Sequence, residues 1–196
     1  MEANIYQPPA AELQSESTTT AREFYVVSKT KFLVLMIATF GIYEIYWFYK
    51  NWSLYKRANN EDMWPVPRAI FAIFFAHSLF RLMDSRVREA EKNISWNPEW
   101  MGAVYVLATL VSTIADRIST KMPEYSVLDV VSLGLLPLIT WVLYRAQSVA
   151  NLVCGDPEGK SNAQFTAANY AWTVIGVAVW ALMGLVLYEA YTGYSA

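Results

Sequence analysis

The chain has 196 residues, of which 55% are apolar and 16% charged, and its formal net charge is −2. That balance is richer in apolar and poorer in charged residues than an ordinary globular domain, and a near-zero charge excludes the global basic field that nucleic-acid binding needs. One cysteine, Cys154, and one histidine, His77, exclude an intramolecular disulfide and a multi-thiolate metal centre.

Residues 1–22 are polar and hold Pro8, Pro9 and the run Ser15 to Thr20. They read as a flexible tail, because nothing in them offsets the entropy of folding. They do not read as a cleavable signal peptide, since no basic leader precedes a short apolar core. Residues 23–196 then form a single helical membrane domain with five apolar segments.

The first segment, Phe32 to Tyr49, is interrupted by Glu44 and ends in Tyr43, Tyr46, Trp47 and Tyr49. Such aromatics favour the headgroup level. The second, Ala69 to Phe80, is too short to cross unaided. Arg68 and Arg81 extend it only if their heads snorkel to water, and Pro67 suits a first helical turn. The third runs from Trp100 to Ala115 and stops at Asp116 and Arg117. The fourth, Tyr125 to Tyr144, carries Asp129 near its start and Pro137 within, where a kink is expected. The fifth, Ser161 to Tyr188, has no charged residue, and Tyr170 to Tyr188 alone has the length of about 20 residues that a crossing needs. Segments one, three, four and five are expected to cross; the second is left open as short or interfacial. The expected fold is all-α, a polytopic helical membrane protein.

Basic residues in short loops face the cytoplasm. Five crossings place 9 Lys and Arg on the side of the tail and 6 on the other. Both this scheme and one with an interfacial second segment put Arg81 to Trp96 and Arg145 to Asn169 inside and the C-terminus outside. A re-entrant first segment, with the second crossing, would invert the arrangement. Five crossings with the tail inside is the preferred scheme.

Several polar groups stand out as candidate functional residues. His77, Arg81, Asp84 and Arg88 follow spacings of four, three and four, which put them on one helix face. A histidine beside an arginine and an aspartate can sense or pass protons, whereas the plainer reading is a polar stripe of ion pairs leaving the membrane. Glu44 and Asp129 are ionisable groups inside apolar segments, which marks them for function; pairing with Arg68 or Arg117 would suit them. Each also sits where a charge is cheap, Glu44 among interfacial aromatics and Asp129 at the favourable end of a helix dipole. Gly176, Trp180 and Gly184 share a face of the last helix and form a candidate packing surface. Trp47 to Lys50 and Trp141 to Arg145 echo one another faintly, as an inverted repeat would.

No nucleophile elbow, zinc-binding H-E-x-x-H or phosphate-loop pattern occurs. The stretch Cys154 to Asn162 reads as a tight surface turn. No catalytic residue, cofactor or metal site is assigned, and no enzymatic activity is expected.

The phrases FYVVSKTKFLVLMIATFGIYEIYWFYKNW, RAIFAIFFAHSLFR, YRAQ with GDPEG, and NAQFTAANYAW resemble a family of uncharacterised bacterial polytopic inner-membrane proteins. Thr39, Gly41, Tyr43, Tyr46 and Trp47 carry the T-x-G-x-Y-x-x-Y-W pattern of its first helix. The resemblance runs from about Phe24 to Leu187 and implies an inner-membrane location and a helical fold, but no activity. Two functional expectations follow. The first is a non-enzymatic protein that works through membrane or envelope partners, an interaction or immunity-type role, with the lipid bilayer, a second membrane protein or another copy as its contacts. The alternative is a small transporter or channel that uses intramembrane ionisable residues.

Overall fold

A computed structural model describes residues 22–125 and 127–192. The tail expected over 1–22 lies outside them apart from Arg22, which donates to the Ser161 hydroxyl. The described chain forms α1 (Lys29–Ala38), α2 (Tyr43–Asn59), α3 (Pro65–Ile70), α4 (Ala72–Glu89), α5 (Pro98–Lys121), α6 (Val127–Val153) and α7 (Ala167–Thr192), with short 3-10 turns at Pro123–Tyr125 and Lys160–Asn162. Local chemistry sets several of these boundaries. The Ser28 hydroxyl accepts Lys31 N–H at the start of α1, and Asn97 Oδ1 accepts Trp100 N–H ahead of Pro98 at the start of α5. Asn60 closes α2 in the left-handed region at φ 52°.

The first apolar segment is not one helix. It breaks between Ala38 and Tyr43, and Thr39, Gly41 and Tyr43 of the T-x-G-x-Y-x-x-Y-W pattern are the chemistry of that break. Thr39 Oγ1 donates to Leu35 O at 2.7 Å and accepts Tyr43 N–H at 3.0 Å, which ties the end of α1 to the start of α2. Phe40 and Gly41 take φ of 51° and 83°, reversing the chain. Glycine meets that geometry freely, while Phe40 is strained by it. The two helices return to a common level, because Glu23, ahead of α1, and Asn59, at the end of α2, both bind the Arg86 guanidinium.

Residues 24–27 run non-helical and buried between α2 and α6, with no strand beside them among the described residues. Carboxamide side chains take the place of a sheet. Asn51 Oδ1 accepts Tyr25 N–H, Gln147 Nε2 donates to Tyr25 O, and Asn162 Nδ2 donates to Val26 O. Asn151 binds both polar groups of Val27, accepting from its N–H at 3.2 Å and donating to its carbonyl at 2.9 Å. Trp47 Nε1 donates to Gln147 Oε1, and Gln147 Nε2 also donates to Asn151 Oδ1. Buried backbone groups need partners, and these four amides supply them. Gly159 (φ 66°) lies so close that a Cβ there would stand 2.3 Å from Val27 O.

α2 and α6 advance in the same direction, since Trp47 meets Gln147 while Asn51 and Asn151 grip the same segment. The echo between their aromatic ends is therefore parallel, which rules out an inverted repeat. The second apolar segment is divided at Phe71 between α3 and α4, and α4 runs on through the charged stretch to Glu89. Three helices are long and apolar enough to cross a bilayer: Pro98–Lys121, Val127–Val153 and Ala167–Val186. The first two are joined through the turn at Pro123–Tyr125 and pack side by side, and α6 stays helical through Pro137. α7 leans on α1. A Cβ on Gly176 would fall 1.8 Å from Ala38 O, Trp180 Nε1 donates to Ile37 O, and the Trp180 ring stacks on Phe40 at 4.2 Å. Gly184 has no atom within 4 Å of its missing Cβ, so that face packs through Gly176 and Trp180 only. The architecture is that of a helical membrane protein.

Candidate functional site: an acidic cleft beside the hairpin tip

Glu44 stands on the first turn of α2, just after the chain reversal, and faces α5. Tyr105 donates its hydroxyl to Glu44 Oε1. On α5, Tyr105, Ser112 and Asp116 are spaced seven and four apart and so share a face. On α6, Asp129 and Ser132 are three apart and face them; the Ser112 and Ser132 hydroxyls lie 2.9 Å apart. Glu44, Ser112, Asp116, Asp129 and Ser132 line one cleft of about 710 Å³, walled by Phe40 and Gly41 from the hairpin tip, Leu136 from α6 and Met183 from α7. At 1.5 Å per residue, Tyr105 lies about 16 Å along α5 from Asp116. The cleft therefore lies between the part of α5 and α6 near their connecting turn and the start of α2, where Glu44 lines it.

Its charge is not cancelled by neighbours. The five ion pairs among the described residues are Arg81–Glu99, Arg86–Glu23, Arg86–Glu89, Arg88–Asp84 and Lys160–Glu158, and all lie at the other end of the molecule. Arg117 and Lys121 line a separate hollow with Ile114, Ile118 and Met122. Arg68 sits over the Trp52 and Phe75 rings, 4.6 and 5.0 Å from their centroids, and not beside Glu44. The carboxylates are strung along the cleft, and no group of three His, Cys, Asp or Glu side chains among the described residues is gathered to hold a metal ion.

The stripe on α4 has a different character. The His77 ring covers Gly102, where a Cβ would come within 2.5 Å of it, so the histidine fills the α4–α5 crossing. Arg81 forms a two-pronged pair with Glu99 on α5, and Asp84 pairs with Arg88 one turn on. Of these four residues only Asp84 and Arg88 are paired with each other, while His77 packs on Gly102 and Arg81 binds Glu99. Arg81, Asp84 and Arg88 also border a surface hollow of about 780 Å³ with Trp96 and Glu99. Cys154 is half-buried, its thiol directed at Phe24 O, and burial raises its pKa above the ordinary thiol value. It is thus poorly suited to act as a nucleophile.

Sequence reasoning found Glu44 and Asp129 but missed Tyr105, Ser112, Asp116 and Ser132. Asp116 was read as the charge that ends an apolar segment. Its helical spacing from Ser112 and Tyr105 was the signal that could have found it. No known protein family matches the chain, and no curated protein or solved structure matches it.

Proposed function

We propose that this chain is a multi-pass protein of a bacterial cytoplasmic membrane, crossed by α5, α6 and α7, and that it binds and passes a cation, in the simplest case a proton, along the acidic cleft. The observation that carries this reading is the convergence of Glu44 and Asp129, distant in sequence, with Asp116 on one cleft between helices of crossing length. Carboxylates at membrane depth are costly unless they are neutralised by a proton or a counter-ion. Glu44 is hydrogen-bonded by the Tyr105 hydroxyl, and apart from Asp116 the groups that line the cleft with Glu44 and Asp129 are serine hydroxyls, glycine and apolar side chains. Tyrosine and serine hydroxyls can each donate and accept, so Ser112 and Ser132 suit a hydrogen-bonded path along the cleft, and Tyr105 donates to Glu44.

The test is proton movement into proteoliposomes, read by an entrapped pH dye under an imposed potential. The wild-type chain is expected to carry protons, and Glu44→Gln and Asp129→Asn to remove most of that flux while the protein still elutes as a single folded species. Wild-type flux equal to that of empty liposomes, or flux unchanged in both variants, contradicts the reading.

The second reading, a protein that acts through membrane partners, rests on the exposed charged end of α4. Arg81 and Arg88 are 63% and 78% exposed in their side chains, and both border the hollow beside Trp96. It requires that charge reversals along Arg81 to Lys92 abolish a cellular phenotype that Glu44→Gln and Asp129→Asn leave intact.

A further inference from the structure

We infer that α1 and α2 form a re-entrant hairpin: it enters the bilayer from the end that carries the basic residues, turns at Phe40–Gly41 near mid-depth, and leaves by the same face, supplying one wall of the cleft. Length is the first argument. α1 has 10 residues and so spans about 15 Å, half of a hydrocarbon core of about 30 Å. A helix that short cannot cross, and the chain reverses immediately after it.

The second argument is where the ends and the tip lie. Glu23 before α1 and Asn59 at the end of α2 share Arg86, and Phe24 stacks on Tyr55. Entry and exit are therefore neighbours. The tip meets the inner parts of two long helices: Phe40 stacks on Trp180, 13 residues into α7, and Gly41 approaches Leu136, nine residues into α6. The hairpin leaves Ile37 exposed by 40%, and Ile42 and Ile45, exposed by 59% and 49%, stand at the edge of the cleft. Acyl chains are the partner an exposed Ile37 fits at that depth. The same tip residues, Phe40, Gly41 and Ile42, line the cleft, so the hairpin supplies one of its walls.

Charge supplies the third argument. With the hairpin and α3–α4 returning to one side, Arg117 and Lys121 alone face the α5–α6 turn. The other 13 of the 15 Lys and Arg belong to the opposite end. Arg145, within α6, reaches that end as well, donating to Ser95 O. Such a distribution places that end in the cytoplasm. It keeps the C-terminal side outside, as the loop charges suggest, and moves Lys50 to Arg68 inside.

The inference rests on α5, α6 and α7 crossing, and not on what the cleft carries. It is tested in the full-length chain with Cys154→Ser and one new thiol at a time: Glu61→Cys or Asp62→Cys after the hairpin, Lys160→Cys between α6 and α7, and Glu124→Cys between α5 and α6, all exposed positions. A membrane-impermeant maleimide is applied to right-side-out and to inside-out vesicles. The thiols at 61 and 62 are expected to label in the same vesicles as the one at 160, and to be lost from those that label at 124. Labelling of 61 or 62 together with 124 would show a full crossing and overturn the hairpin. Two adjacent positions guard against one variant failing to assemble. Proton flux in the proteoliposome assay is measured separately, so failure of the hairpin and failure of the cation reading are distinguishable.

Discussion

Asn151 is the residue on which the buried entry segment depends most. It satisfies Val27 N–H and Val27 O together and accepts from Gln147. Replacing it with leucine leaves those groups unpartnered in a site that water does not reach. Each orphaned group costs about 1–3 kcal/mol, so Asn151→Leu is expected to lower the thermal midpoint in detergent markedly. An unchanged midpoint would mean that the backbone has found other partners. At the surface, Asp156 accepts from Ser161 and from Lys160 N–H. Hydrogen bonds from Ser161 foremost hold its carboxyl below the usual aspartate value. A depressed folded-state pKa adds stability above the unfolded value, and that increment is lost as pH falls through the folded one. Thermal midpoints taken from neutral pH into the acid range should thus fall less in Asp156→Asn than in the wild type. Little of this was legible beforehand. Asn51, Gln147, Asn151 and Asn162 look in sequence like polar residues near helix ends, and their common purpose appears only when residues 24–27 are seen threaded between them.

Elements show the reverse pattern, legible in type and less so in continuity. The long charge-free stretch before Tyr188 became α7, and α5 and α6 start near the starts of the third and fourth segments but run on six and nine residues past their ends. The first segment misled because apolar content alone cannot separate one helix of 18 residues from two shorter ones. The distinction lay in Thr39, whose hydroxyl bridges the break, and in Gly41, which meets a positive φ. Glu44 looked interfacial because aromatics surround it, yet the reversal carries it inward to Tyr105. The packing of α7 gives a paired prediction. Gly176→Ala drives a methyl group into Ala38 O, where the backbone must move, while Gly184→Ala enters open space. Overpacking typically costs about 1–3 kcal/mol. The first variant should therefore lose thermal stability in detergent and the second should match the wild type; equal midpoints would show that α7 does not rest on α1.

The whole molecule is a polarised one. Ion pairs, amide clamps and most basic residues gather at one end, whereas the cleft with Glu44, Asp116 and Asp129 opens at the other. Sequence charge counts sense that polarity only weakly, 9 against 6, because the five-crossing scheme sets Lys50 to Arg68 opposite the tail, whereas the hairpin we infer returns them to its side. A hairpin that turns back accounts for the difference. The hairpin tip walls one side of the cleft, and water in that cleft is what the cation reading requires. The direct measurement is the reaction rate of a thiol at Ser132→Cys, in the Cys154→Ser background, with a water-soluble methanethiosulfonate added from the α5–α6 side. Val131→Cys, an exposed position on the apolar side of the same turn, serves as reference. The account predicts fast modification at 132, slow modification at 131, and no reaction at 132 from the opposite side. Equal slow rates at the two positions would mean a dry cleft and would contradict it.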